Sequence, residues 1–142
     1  MIGDALLATP LYGDDYESAQ ARDVYLPAGV WIDYDTGERY QGPRLLHRFA
    51  LPPGKTPLFA GGTGIIAEKR GAGVVARIFP VNPHAESLFI HPDGITRTRI
   101  RLDVADWNRV VVTTASGRAV SGAWHDHAFE FAIVPGEDYE LR

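Results

Sequence analysis

The chain has 142 residues, no cysteine and a formal net charge of −4 at pH 7. A chain of this length can bury roughly 70% of the surface that its unfolded form exposes, so it needs neither disulfides nor a structural metal to fold. The lack of cysteine excludes thiolate ligands, and the lack of a Lys/Arg cluster argues against nucleic acids and anionic membranes as partners. Sugars and proteins remain as partner classes.

The N-terminal stretch, "MIGDALLATPL", is apolar enough to resemble a signal peptide. It lacks the basic residues with which signal peptides begin, carries Asp4 early and is interrupted by Pro10. We therefore predict a strand from Ala5 to Thr9 rather than a leader. No stretch of the sequence approaches the ~20 apolar residues that a transmembrane helix requires, so no membrane partner is expected.

Residues Asp14 to Ala21 form the best helix candidate in the chain. Asp14 could cap a helix N-terminus, but the segment lacks the apolar residues at i, i+3 and i+4 that give a helix a buried face. We predict a loop or a single helical turn here.

The stretch from Val24 to Tyr40, "VYLPAGVWIDYDTGERY", predicts a pair of hairpins. Pro27-Ala28-Gly29 has the composition of a turn, because Pro fixes φ and Gly tolerates positive φ. Strand alternation resumes from Val30 to Tyr34. Asp35-Thr36-Gly37 then predicts a hairpin loop whose Gly takes positive φ.

Short β-branched and aromatic runs separated by Gly and Pro continue through the rest of the chain, as is typical of all-β proteins. The sequence therefore predicts an all-β fold built as an antiparallel β-sandwich. The predicted strands are Ala5 to Thr9, Asp23 to Leu26, Val30 to Tyr34, Glu38 to Gln41, Arg44 to Leu51, Pro57 to Ala60, Gly64 to Glu68, Val74 to Phe79, Glu86 to His91, Thr96 to Asp103, Arg109 to Thr114, Ala119 to Ala123 and Ala128 to Val134.

The segment from Glu68 to Gly73, "EKRGAG", changes from charged to glycine-rich sequence. Domain boundaries fall in polar, Gly-rich segments of this kind, so we predict a boundary here. The two predicted domains are residues 1–70 and 71–142.

In "ITRTRIRLDV", Arg97, Arg99 and Arg101 alternate with uncharged residues, which predicts a strand with the arginines on one wet face. Three aligned arginines could bind an acidic partner. Charged side chains also protect edge strands from unwanted pairing, and we favour this solvated-face interpretation.

"WHDH", Trp124 to His127, holds two histidines that would project from the same side of a strand and could share a metal with a third ligand. The sequence shows no third ligand, and Gly122 precedes the motif. We favour a hairpin tip with solvated His125 and His127 and predict no metal site. His84 and His91 lie beside prolines and are interpreted as loop residues.

Three tryptophans, Trp31, Trp107 and Trp124, suggest carbohydrate binding, because flat aromatic rings stack on the apolar faces of sugars. Large aromatic side chains also fill sandwich cores, and we favour packing for Trp31. Trp107 follows Asp106 in a turn-like segment and is the candidate carbohydrate contact, although packing is favoured there too. A stand-alone carbohydrate-binding module is kept as the alternative function.

No pattern in the sequence predicts a cofactor. "AGGTG", Ala60 to Gly64, lacks the Lys-Ser/Thr and the helix that follow a phosphate-binding loop. A Ser-His-Asp order with a nucleophile elbow is also missing.

Three ordered motifs, "IGDALLATPLY", "RDVYLPAGVWIDYDTGERYQG" and "TPLFAGGTGII", resemble the C-terminal β-sandwich region of glycoside hydrolase family 31, the α-glucosidase and α-xylosidase group. The resemblance covers Ile2 to Ile66 and implies a strand that leaves a catalytic (β/α)8 barrel, followed by a proximal sandwich. Further along, "ARIFPVN" and "LFIHPDGIT" look like the family's smaller distal β unit. There His91-Pro92-Asp93-Gly94 replaces the family's usual acidic pair before Gly.

The resemblance implies that the catalytic carboxylates lie on barrel strands and not in this region. The family's nucleophile motif has no counterpart here, so we predict no catalytic, cofactor-binding or metal-binding residue. The acidic residues in turns are expected to satisfy local backbone donors; these are Asp35, Glu38, Asp93 and Asp138.

The expected function is therefore structural support for the barrel of an enzyme that hydrolyses terminal α-glucosides or α-xylosides. The expected partners are that barrel and, less specifically, carbohydrate. We also expect self-association through the strand from Ile2 to Leu11 when the barrel is absent, because unpaired apolar edges find substitutes.

Overall fold

The computed structural model describes residues 4–8, 21–50 and 56–142, and within them every regular element except one short 3-10 helix is a β-strand. The predicted all-β fold is confirmed. The chain divides into two compact units, Met1–Gly62 and Thr63–Arg142. Residues 14–20 of the predicted loop lie outside the described part of the chain. No described helix has the length and apolarity to cross a membrane.

The first unit contains an antiparallel four-stranded sheet. Its strands are β1 (Leu6–Ala8), β2 (Ala21–Asp33), β3 (Arg39–Ala50) and β4 (Leu58–Ala60). Their order in the sheet is β1-β4-β2-β3, so β1 lies at one edge of the described sheet and pairs only with β4 there. The predicted strand from Ala5 to Thr9 is thus a short edge strand.

β2 is one long strand where the sequence predicted two strands and a turn. The predicted turn at Pro27-Ala28-Gly29 is wrong, because these residues form a bulge with a register shift between Leu26 and Gly29 against β3. Gly29 takes a φ of 118°, and the bulge accommodates Pro27, which has no N–H to donate to the ladder. The predicted loop at residues 35–37 is confirmed: Gly37 has a φ of 76°, and its N–H donates to the Asp33 carbonyl over 2.9 Å.

The core of the first unit is a cluster of buried side chains from β2, β3 and β4. Its members are Val24, Leu26, Trp31, Leu46 and Phe59. The rings of Tyr40 and Phe49 pack edge-to-face on Phe59, with centroid distances of 5.9 and 5.4 Å. Burying a side chain such as Phe59 contributes roughly 1.5–3 kcal/mol, so this cluster holds the sheet together.

The second unit is a sandwich of two sheets. Its strands are β5 (Ile65–Arg70), β6 (Gly73–Ile78), β7 (His84–Ile90), β8 (Arg97–Asp103), β9 (Val112–Thr114), β10 (Ala119–Val120), β11 (Ala123–His125), β12 (Ala128–Ile133) and β13 (Tyr139–Leu141). One sheet has the order β10-β9-β13-β8-β7 and the other the order β11-β12-β6-β5. Both contribute to one buried core, which includes Ile78 and Phe131 from the second sheet and Ile100 and Leu141 from the first.

The segment in which we predicted a domain boundary, Glu68 to Gly73, lies inside the second unit. β5 and β6 pair antiparallel as far as Arg70 opposite Gly73, so the segment is a hairpin turn in which Gly71 has a φ of 62°. Charged residues followed by Gly suit a tight turn as well as a linker. The two units divide earlier, between Gly62 and Thr63.

β13 is a strand that the sequence did not predict. It pairs parallel with β8, where Tyr139 lies opposite Ile100, and antiparallel with β9, where Leu141 lies opposite Val112. Its two buried residues are too few to give a periodic signal, and its position is fixed by the two neighbouring strands.

The predicted alternation along β8 is confirmed. Arg97, Arg99 and Arg101 are exposed, and the residues between them are buried. Arg99 Nε lies 3.0 Å from Oε1 of Glu86 on β7, so an acidic partner for this arginine lies within its own sheet. This contact favours the solvated-face interpretation of the arginines.

Candidate functional site

Several turn carboxylates accept hydrogen bonds from the backbone. Asp33 Oδ1 accepts from the N–H groups of Asp35 and Thr36 at 2.9 and 3.1 Å, and Asp138 Oδ1 accepts from the N–H of Arg99 at 2.9 Å. Asp138 thus has a structural role, but its donor lies on β8 and is not the local backbone donor that we predicted. The hairpin loop at residues 35–37, however, is capped by Asp33 and not by Asp35, because Asp33 precedes the turning residues.

Asp93 stabilises the turn between β7 and β8 as predicted. Its Oδ1 accepts from the N–H groups of Ile95 and Thr96 at 2.9 and 2.8 Å, and its Oδ2 accepts from the Thr96 hydroxyl. The hydroxyl bond first, and then the two backbone bonds, hold the pKa of Asp93 below its ordinary value. Asp93 therefore carries a negative charge at neutral pH.

A buried ion cluster joins β5, β6 and β12. The side chains of Arg77 and Glu130 are 5% and 10% exposed, and Arg77 Nε lies 2.9 Å from Glu130 Oε1. Arg70 donates to both carboxylate oxygens of Glu130, at 2.8 and 3.1 Å, and Arg77 Nη2 donates to the Asp126 carbonyl at 2.8 Å. The Arg70 hydrogen bonds lower the pKa of Glu130 although its burial opposes them. The cluster links neighbouring strands and fixes their pairing.

The "WHDH" histidines form a hairpin tip. His125 ends β11, whereas Asp126 and His127 form the turn before β12 with φ values of 46° and 71°. The two histidines therefore do not share a strand face, and His125 Nε2 lies 3.1 Å from Asp126 Oδ2. No group of three or more potential metal ligands is found in residues 4–8, 21–50 and 56–142.

The three tryptophans lie in different environments. Trp31 is buried as predicted, and its Nε1–H donates to the Pro27 carbonyl at 2.8 Å. Trp107 begins the 3-10 helix and is partly buried against the core of the second unit, so much of its ring is occupied by packing. Trp124 is exposed on β11, and its ring contacts Phe129 edge-to-face at 5.7 Å between centroids.

A cleft of about 510 Å³ lies in the second unit beside the edge strands β5 and β7. Its volume is within the range of small-molecule sites, about 300–1,000 Å³. We call it the β5–β7 cleft. The residues that line it include Lys69, Val74, Phe89, His91, Asp93 and Pro135.

His91 is a buried histidine in the wall of this cleft, with only 5% of its surface exposed. Its Nε2 lies 2.8 Å from Thr98 Oγ1, and its ring packs edge-to-face on Phe89 with 4.8 Å between centroids. Its Nδ1 has no hydrogen-bond partner in the described part of the chain. The sequence predicts a loop position for His91 because Pro92 follows it. The alternation of Ala85, Ser87 and Phe89 along β7, which reaches His91 one residue after the strand ends, is the signal for its inward position.

Comparison with known proteins identifies a match to one family. Residues 1–66 match the family model of the glycosyl hydrolase family 31 C-terminal domain. The chain is also 30% identical over 105 residues to a 1,6-alpha-glucosyltransferase of Sporosarcina globispora. This similarity covers 66% of the chain but 8% of the relative, so the chain spans a small part of that protein's length. The resemblance drawn from the three motifs is confirmed for residues 1–66.

Proposed function

We propose, from the match of residues 1–66 to the glycosyl hydrolase family 31 C-terminal domain, that the chain is a non-catalytic part of such an enzyme and supports its (β/α)8 barrel. The family match across the first unit is the observation that carries this proposal. The similar protein is named a 1,6-alpha-glucosyltransferase, which favours α-linked glucose over α-linked xylose as the sugar of the parent enzyme. Hydrolysis and transfer share the same covalent first step and differ in whether water or a sugar accepts the glycosyl group.

The environments of the described carboxylates support a non-catalytic role. A retaining glycosidase needs two carboxyl groups ≈ 5–5.5 Å apart, one of them an acid with a raised pKa. The carboxylates of Asp33 and Asp93 are occupied by backbone N–H groups. Glu130 is held by two arginines, and its pKa is lowered, the opposite of what a general acid requires.

The first unit has an apolar surface that would suit a barrel contact. Tyr25 on β2 lies opposite Leu45 on β3, and both side chains are more than half exposed. Exposed apolar pairs of this kind are typical of surfaces covered by a partner. We propose that the barrel covers this pair and the edge strand β1, and that two copies of the chain associate through the same surfaces when no barrel is present.

One preparation of the purified chain tests both parts of this proposal. We expect no release of p-nitrophenol from p-nitrophenyl α-glucoside above that of a mock purification, and an apparent mass in sizing with light scattering that rises with concentration. Leu45→Ser should reduce the association, whereas the control Val111→Ser, with the same 57% exposure, should not. Hydrolysis that survives repurification would overturn the non-catalytic role. A strict monomer at high concentration would overturn the proposed contact surface.

A further inference from the structure

The β5–β7 cleft lies outside the residues that match the family model, and its charges balance. Two charged residues line the cleft: Lys69, which belongs to β5, and Asp93, which belongs to the turn between β7 and β8. Asp93 is ionised at neutral pH and Lys69 carries the opposite charge, so together they give the cleft no net attraction for an anion or for a cation. A neutral polar molecule needs no such attraction and can accept a hydrogen bond from the ammonium of Lys69.

The remaining wall of the cleft is mainly apolar. Val74, Phe89 and Pro135 contribute side chains from three separate segments of the second unit. Small-molecule sites commonly combine such apolar walls with a few polar groups that set orientation. A sugar ring fits this combination, because its C–H faces pack on apolar surfaces while its hydroxyls donate and accept hydrogen bonds.

His91 adds a second polar group to the wall of the cleft. Its Nε2 is paired with Thr98, and its Nδ1 has no partner in the described part of the chain. Nδ1 keeps some accessible surface, so a molecule in the cleft could bond to it in place of water. A hydroxyl can donate or accept, so it pairs with Nδ1 in either tautomer of the imidazole.

From these three observations we propose that the β5–β7 cleft binds one neutral sugar unit of an oligosaccharide. The ring would pack on Phe89 and Pro135, and its hydroxyls would bond to the ammonium of Lys69 and to Nδ1 of His91. This proposal does not depend on the barrel-supporting role. It also moves the candidate sugar contact away from Trp107, whose ring is partly buried against the core.

The test is an NMR titration of the full ¹⁵N-labelled chain with maltotriose and with isomaltotriose. Gluconate and glucosamine serve as anionic and cationic probes of similar size. We expect both neutral sugars to shift the amides of Lys69, Phe89 and His91 in a saturable way, with a Kd of about 1 mM. The two charged probes should produce much smaller shifts at the same amides.

Lys69→Ala is the variant of choice, because the side chain is exposed and its loss should leave the fold intact. Losing a hydrogen bond from a charged donor should raise the Kd about tenfold. Arg118→Ala removes the same charge from an exposed side chain that does not line the cleft, and should leave the Kd unchanged.

Three results would each overturn the proposal. The first is no saccharide-dependent shift at the cleft amides, and the second is binding of gluconate as tight as that of maltotriose. The third is an equal effect of Lys69→Ala and Arg118→Ala on the Kd.

Discussion

Replacing Glu130 by leucine should destabilise the second unit by about 3 kcal/mol, because it removes the carboxylate nearest to the buried Arg77 guanidinium. Removing one member of a buried ion pair typically costs about 3–5 kcal/mol. We expect the lower end, since Arg77 keeps hydrogen bonds to the carbonyls of Asp126 at 2.8 Å and His125 at 3.4 Å. Oε2 of Glu68 also remains 3.9 Å from its Nε. Arg70 is 46% exposed and can turn to water, so it adds little.

The double variant Arg77→Met, Glu130→Leu provides the decisive comparison. Replacing a whole buried ion pair by apolar residues of similar volume is often neutral or stabilising. The double variant should therefore recover most of the stability that Glu130→Leu loses. Such a recovery is a coupling energy that independent sites do not show.

Urea unfolding followed by far-ultraviolet circular dichroism and by tryptophan fluorescence measures these changes. Trp124 contacts Phe129 and so reports on the second unit. A loss of about 3 kcal/mol lowers the unfolding midpoint by roughly 1–3 M urea for slopes of about 1–3 kcal/mol/M. The control is Glu86→Leu, which breaks the exposed pair with Arg99 and should cost less than about 1 kcal/mol.

The reasoning would be refuted if Glu130→Leu were as harmless as Glu86→Leu. That outcome would mean that Arg77 reaches water once its partner is removed. A double variant as unstable as Glu130→Leu would refute the ionic explanation in a different way, because the loss would then come from packing.

Two further predictions concern acid stability and the packing of Trp31. Folding lowers the pKa of Glu130 from its ordinary 4.5, so the stabilisation that Glu130 provides should be complete above that pH and disappear as pH falls through the lower folded pKa. The urea unfolding midpoint should therefore fall more steeply from pH 7 to pH 3 for the natural chain than for Glu130→Gln. Parallel curves for the two proteins would contradict this. In Gly61→Ala, the new Cβ would lie 2.4 Å from Trp31 Cε3, whereas a Cβ added at Gly73 would have its nearest neighbour 3.8 Å away. Gly61→Ala should therefore lower the free energy of unfolding by about 1–3 kcal/mol, as measured by urea unfolding. Equal midpoints for Gly61→Ala and Gly73→Ala would show that Trp31 moves at no cost.

The strands with strict alternation were predictable from the sequence, and β8 is the best example. Its exposed arginines and buried Thr98, Ile100 and Leu102 follow the period of a strand without interruption. Pro27-Ala28-Gly29 shows the limit of this reasoning. The same residues suit a turn and a bulge, and only the pairing of β2 with β3 selects the bulge.

The family match of residues 1–66 was also predictable, because three motifs in order carry far more information than any local pattern. The β5–β7 cleft was not. Its walls come from the β5–β6 hairpin, the end of β7 and the turn before β13, which are far apart in sequence. His91 was assigned to a loop because Pro92 follows it, whereas the sandwich continues the inward face of β7 by one more residue.

The central position of β13 affects how the second unit folds during synthesis. β8 and β9 leave the ribosome before β13, and they pair with each other only through it. Until residues 139–141 emerge, the nascent sheet therefore presents two unpaired edges, which are the features that lead to aggregation. Insertion of β13 then completes a long-range parallel pairing, a slow class of folding event, so this insertion should limit the rate at which the second unit folds.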